Sequence, residues 1–148
     1  MAPDRWLDSL IHLRCLTERF SAALPQLTLA KFIEDGHFAR HVRRMREMYG
    51  TRLATFRTEV RRYLNGALSL AEIEAGLNVA GFLDNSIPAS RVAKRAESQK
   101  LDLWTLDRFA LDRKDLNGFL LGFAPFTERE IRGAIPRFAR AIETALTS

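Results

Sequence analysis

Gly36-His37-Phe38-Ala39-Arg40-His41-Val42-Arg43-Arg44-Met45-Arg46-Glu47-Met48-Tyr49 is the stretch whose reading decides the fold. It opens a long amphipathic pattern. Phe38, Val42, Met45, Tyr49, Phe56, Val60 and Tyr63 recur at intervals of three, four or seven, and Leu53 fills the one gap. Such spacing predicts a single helix over 37–64 with one apolar stripe. Between the apolar positions stand Arg40, Arg43, Arg44, Arg46, Arg52, Arg57, Arg61 and Arg62, so the outer face is basic.

Working outward, Trp6 to Phe20 reads as a helix with Leu7, Leu10, Ile11, Leu13 and Cys15 on a broad apolar face. Pro25 is expected to interrupt, with a short helix over Leu27 to Ile33 that Gly36 closes. Asn65-Gly66 signals a turn after the long helix. Leu77 to Leu83 is short and apolar, a buried strand. Ser86 to Lys100 reads as a helix with Ile87, Val92 and Ala96 inward and Pro88 in its first turn. Leu101 to Leu106 and Phe119 to Phe123 supply two further strands across the polar loop Arg113 to Asn117. Thr127 and Glu130 form a capping box for a last helix with the stripe Ile131, Ile135, Phe138, Ile142 and Leu146. Pro136 falls inside that helix and is expected to kink it, at about 3 kcal/mol if unrelieved. The element order predicts an α+β fold, a small three-stranded sheet packed with helices.

Several words of this chain resemble the C-terminal, aminotransferase-like part of MocR-type transcriptional regulators of the GntR family. Gly36 to Tyr49 resembles a "GHFARHIRRMR…Y" segment, and Ala75-Gly76-Leu77-Asn78-Val79 resembles "AGLHL". Leu106 to Leu111 is similar to "LSRYYL", Gly118 to Ala124 to "GLLLGFA", and Glu130 to Ile135 to "EIEEGV". The resemblance covers essentially the whole chain. It implies the small C-terminal domain of the fold-type I pyridoxal-phosphate transferase fold. Residues 1–35 would be a helical remnant of the large-domain tail, and residues 36–148 the small domain, including the long interdomain helix 37–64.

The resemblance also implies what this chain does not carry. The cofactor lysine, the groups that hold pyridoxal phosphate and the winged-helix DNA-binding domain all lie upstream in that family. The lysines here are Lys31, Lys94, Lys100 and Lys114. Lys31 follows Thr28 at a Ser/Thr-x-x-Lys spacing, but Phe32-Ile33-Glu34-Asp35 succeeds it where the family has Pro and a Gly-containing turn, so a surface position is expected. A lysine made nucleophilic by its setting needs a whole pocket around it. No catalytic or cofactor-binding residue is therefore assigned to this chain, and no cofactor is expected on it alone.

Aminotransferases clamp the substrate carboxylate with an arginine in a word like "RLGFA"; Leu120 stands at that position here. Arg108, in the "LSRYYL"-like turn, is the candidate substitute, weighed against an exposed arginine paired with Asp107 or Asp112. His37 and His41 lie four apart without a third ligand of recognisable spacing, and His12 is isolated, so surface or packing roles are expected. Phe109, Phe119, Phe123 and Phe126 read as core.

The 148 residues, 47% hydrophobic, suffice for one ordinary domain. No apolar run spans a bilayer and no signal peptide is read, and the single cysteine, Cys15, is expected to pack as a small hydrophobe. A cytoplasmic location follows. The formal charge of +5 permits a polyanion partner, yet scattered carboxylates favour a solvated arginine face over DNA contact.

The reading is then a truncated aminotransferase-like effector domain of a pyridoxal-phosphate-dependent regulator, reaching DNA only through an N-terminal domain. One alternative is the same piece of a true class I/II aminotransferase. The other is a stand-alone dimerisation or interaction module without catalysis. Apolar surface around Trp6, Leu10 and Leu13 predicts a homo-oligomer or a large-domain partner.

Overall fold

The computed structural model describes residues 3–17, 22–72, 76–113 and 115–147. Phe20, Ala75 and Lys114, which entered the sequence reading, lie outside them. Residues 1–44 and 45–148 form two compact units.

In the first unit, a 3-10 turn, Asp4–Trp6, leads into helix α1 (Leu7–Thr17), and α2 runs over Ala23–Glu34. Pro25 does not interrupt α2 but sits in its first turn. The N–H that proline lacks there has no acceptor within the helix in any case. Gly36 takes a positive φ of 75° where α2 ends, and the N–H groups of Asp35 and Gly36 satisfy the carbonyls of Lys31 and Ile33. Neither α1 nor α2 has a buried residue. Cys15 is exposed rather than packed.

Helix α3 (His37–Tyr63) matches the expected span. Its stripe is graded: Phe56 and Val60 are buried, Val42, Met45, Tyr49 and Leu53 half-buried, and Phe38 and Tyr63 exposed.

The second unit is built on a four-stranded antiparallel sheet of order β1-β2-β4-β3. The strands are β1 (Leu68–Leu70), β2 (Asn78–Leu83), β3 (Trp104–Thr105) and β4 (Gly118–Gly122), with α4 (Ala89–Ser98) and α5 (Glu128–Leu146) between and after them. The expected sheet had three strands. The fourth, β1, follows the Asn65-Gly66 turn and pairs Leu68 with Leu83. β2 alternates: Val79, Gly81 and Leu83 are buried while Asn78 and Phe82 are exposed. It is a half-buried strand with one open face, not a fully buried one.

β3 is much shorter than Leu101 to Leu106 for a local reason. Lys100, at a φ of 57°, closes α4. The N–H of Leu101 reaches back to the Ala96 carbonyl and that of Lys100 to the Glu97 carbonyl, which is a Schellman motif. The backbone is committed to a helix end before it can join the ladder. After Thr105 the 3-10 turn Leu106–Phe109 removes it again.

α4 begins at Ala89, with Pro88 as the residue preceding its first turn rather than within it. Proline has no side chain that can cap, and the cap comes from elsewhere. Asn117 accepts the Ala89 N–H at 2.8 Å and donates through Nδ2 to the carbonyls of Asp84 and Ile87, both at 2.9 Å.

The core lies between the sheet and helices α3, α4 and α5. Phe119, Phe123, Leu64 and Val92 are its largest fully buried side chains. Phe119 meets Phe138 edge-on at 5.4 Å, and Phe123 lies against Phe56 at 6.1 Å. α5 opens with the expected capping box: Glu130 N–H donates to Thr127 Oγ1 at 3.3 Å, and Thr127 N–H donates to Glu130 Oε2 at 2.7 Å. Those hydrogen bonds from Thr127 to its carboxylate hold Glu130 below the usual carboxylate range. The helix runs through Pro136 as one element. Ile131, Ile135, Phe138 and Ile142 are buried as expected, but Leu146 is exposed and Ala145 takes the inner position of the last turn.

Candidate functional site

The β3–β4 edge of the sheet gathers residues that the sequence reading singled out. Leu120, half-buried on β4, pairs across the ladder with Trp104 on β3. Trp104 is exposed, and its Nε1 donates to Asp102 Oδ2 at 3.0 Å. Its ring stacks on Phe109 at 6.0 Å and carries the Arg108 guanidinium 5.3 Å above it. Arg108 is thus exposed, as weighed, but it stands over an indole rather than against Asp107 or Asp112. A guanidinium held by an aromatic face keeps its in-plane N–H donors free for a carboxylate. Phe109 belongs to this exposed cluster and not to the core.

A hollow of about 420 Å³ lies at the end of β4, lined by Leu120, Lys100, Leu103, Phe126 and Arg137 among others. Its walls are mainly apolar, and its charged positions are Lys100 and Arg137 together with Asp102 and Glu130. Arg137 is anchored by its own backbone contacts: Nε donates to the Gly133 carbonyl at 3.1 Å and Nη1 to the Gln99 carbonyl at 3.0 Å. Phe126, read as core, lines this hollow and is exposed. Sequence reasoning missed Arg137 because it occupies an ordinary polar position of an amphipathic helix. Only the Schellman turn brings Gln99 and Lys100 to it.

The remaining candidates are scattered. His37 stacks on Phe32 at 5.5 Å, and His12 Nδ1 lies 2.8 Å from the Asp8 carbonyl. No group of three or more His, Cys, Asp or Glu side chains among the described residues could hold a metal ion. No helix among the described residues is long and apolar enough to cross a membrane.

Comparison with known proteins adds the family. No family model matches the chain. It is 27% identical over 135 residues to the probable rhizopine catabolism regulatory protein MocR of Rhizobium meliloti, covering 91% of this chain and 27% of that protein. It is 25% identical over 146 residues to the HTH-type transcriptional regulator YjiR of Escherichia coli, covering 99% and 31%. The chain is related to the MocR-type regulators. Among solved structures, the chain superposes on the multiple substrate aminotransferase of Thermococcus profundus with a TM-score of 0.85 at 19% identity, over 99% of this chain and 36% of that one. For the α-aminoadipate aminotransferase LysN of Thermus thermophilus the TM-score is 0.83 at 18% identity, over 99% and 38%. The fold is therefore that of an aminotransferase part. The chain spans under a third of the length of the two regulators and little more than a third of the two enzymes.

Pyridoxal phosphate is the cofactor that the aminotransferase fold implies, and the described lysines of this chain do not fit it. Lys31 is exposed and paired with Asp35 one helical turn away at 2.7 Å. That is an ordinary surface ion pair, with no enclosed pocket for a Schiff base. Lys94 lies on the exposed side of α4, and Lys100 is held in the helix-closing turn.

Proposed function

We propose that this chain is the C-terminal, aminotransferase-like effector part of a pyridoxal-phosphate-dependent MocR-type regulator. The cofactor lysine and the DNA-binding domain would belong to the rest of a longer cytoplasmic polypeptide. Residues 1–35 would be the tail of the large domain, residues 36–148 the small domain, and α3 the link between them. The observation that carries this reading is the match to MocR-type relatives along nearly all of this chain but under a third of theirs.

The surface of α1 and α2 supports it. Trp6, Leu10, Leu13, Leu24, Leu27 and Phe32 are all exposed, an apolar extent that soluble proteins ordinarily cover. A large domain or a second subunit would do so. In this role the small domain closes over an amino acid or the cofactor and passes that motion to the DNA-binding part of a dimer. Leu120 in place of a clamp arginine favours a sensor over a transaminase. Arg108, aimed by Trp104 beside Leu120, is the residue we assign to the ligand carboxylate.

The test is capture of the native protein from its own cells, with intact mass and cofactor absorbance read together. The expected mass exceeds three times that of these 148 residues, with bound pyridoxal phosphate whose spectrum responds to an amino acid. In that protein Arg108→Gln should weaken the amino-acid response at least tenfold, while Arg137→Gln leaves it within twofold. A native mass equal to these residues alone, without cofactor, would overturn the reading and favour a stand-alone interaction module.

A further inference from the structure

The exposed side of α3 carries Arg46, Arg57, Arg61 and Arg62, all within the second unit. Among the described residues none of them forms an ion pair; the pairs present are Lys31 with Asp35, Arg113 with Asp115, and Arg132 with Glu128. Arg62 lies over the Tyr63 ring at 5.2 Å and, about 160° around the helix from Arg46, stands off the stripe of the other three. Of the helix's two carboxylates in this unit only Glu47 is exposed. Glu59 is buried at 8% exposure, and Glu47 points about 100° around the helix from Arg46. Arg52 shows the contrast: it is half-buried and donates to the Ala124 carbonyl, a structural use.

The spacing has a pattern. Arg46 and Arg57 lie about 16 Å apart along the axis and only about 20° apart around it. Arg61 follows Arg57 by one turn. Between the two groups the same face is lined by Gly50 and Ala54, and a side chain at Gly50 would meet open space. A smooth waist flanked by guanidinium groups about 16 Å apart can straddle a DNA groove about 12 Å wide and reach the backbone on either side. Arginine forks suit phosphate oxygens bidentately. A membrane-surface helix would instead need large apolar residues beside its cations; Gly50 and Ala54 are what lies between the cations here.

We propose that this face of α3 binds the phosphate backbone of duplex DNA without reading its sequence, Arg46 on one side of a groove and Arg57 and Arg61 on the other. The surface stands apart from the ligand-sensing reading above, in which DNA is held by another part of the polypeptide.

The experiment is fluorescence anisotropy of a labelled 25-base-pair duplex of arbitrary sequence, titrated with the full chain over a range of salt. Three phosphate contacts give a slope of log K against log salt of about −2.7. Arg57→Gln with Arg61→Gln should flatten it by about 1.8, and Arg46→Gln by about 0.9. Arg91→Gln with Arg95→Gln, exposed cations of α4, should leave it unchanged. Circular dichroism confirms that each variant remains folded. Absence of binding at low salt overturns the proposal. So does a slope that follows the α4 pair rather than the α3 arginines, or a preference for phosphatidylserine vesicles over the duplex.

Discussion

Replacing Asn117 with alanine removes the cap of α4 without touching that helix's own sequence. Its amide is oriented by its surroundings: an N–H faces one end and two carbonyls the other. Each hydrogen bond of this kind contributes about 1 kcal/mol net, so the three together amount to about 3 kcal/mol. Ala89 is buried, so its N–H has little access to replacement water. At about 3 °C per kcal/mol for a chain of this size, Asn117→Ala should melt about 9 °C lower. Asn117→Asp separates the contributions. The carboxylate still accepts the Ala89 N–H and suits a helix N-terminus, but it faces the Asp84 and Ile87 carbonyls with no donor. Its folded-state pKa should therefore lie above the unfolded value. The folded state then binds the extra proton more readily, and the deficit relative to the parent chain narrows as pH falls through that raised value. Thermal melts followed by circular dichroism at neutral and acidic pH read both effects. A loss under 1 kcal/mol for the alanine variant would refute the trans-capping argument. Equal stability of the Asp and Asn forms at neutral pH would refute the donor assignment.

Other substitutions probe single features. Lys100→Gly should stabilise by about 1 kcal/mol, because a side chain no longer occupies the left-handed position that ends α4; an unchanged urea midpoint argues against strain there. A Cβ at Gly118 would come 2.2 Å from the Gly81 carbonyl oxygen, so Gly118→Ala should force β2 and β4 apart and cost about 3 kcal/mol or more, read from the loss of the cooperative melt. Glu130 is held below the usual carboxylate range mainly by Thr127. Its contribution is present at neutral pH and is lost as pH falls through the lowered value. The gap in melting temperature between the parent chain and Glu130→Gln should close on acidification, and a gap constant with pH would contradict this. Pro136→Ala restores a hydrogen-bond donor within α5 and should stabilise by up to about 3 kcal/mol. A neutral result in a melt would mean that water already satisfies the Arg132 carbonyl.

The helices were legible where their signals are local. The apolar period set the span of α3, and the Thr127–Glu130 box set the start of α5. What was misread depends on partners far along the chain. β1 has three residues and becomes a strand only because Leu68 to Leu70 find Leu83 to Gly81. Leu101 and Leu103 alternate as a strand would, yet the Schellman turn takes the Leu101 N–H first. The α4 cap comes from a residue 28 positions away, and a sequence offering Pro88 at the N-cap gives no hint of it. Periodicity identifies which face of a helix turns inward but not how deeply each position is buried, so Phe38, Tyr63 and Leu146 were overcounted as core.

The candidate site follows the same logic. Arg108 could be named from its turn, but what holds its guanidinium could not. Asp107 and Asp112 are nearer in sequence, while Trp104 wins because the 3-10 turn folds Arg108 back over the end of β3. Trp104 is fixed in turn by Asp102, by Phe109 and by its pairing with Leu120. A short strand and a tight turn thus place a cation beside Leu120. The arginine face of α3 was legible as charge, and the sequence read it as a solvated surface. Counting carboxylates along the sequence suggested neutralisation. Helical geometry turns Glu59 inward, while Glu47 stays exposed about 100° around α3 from Arg46.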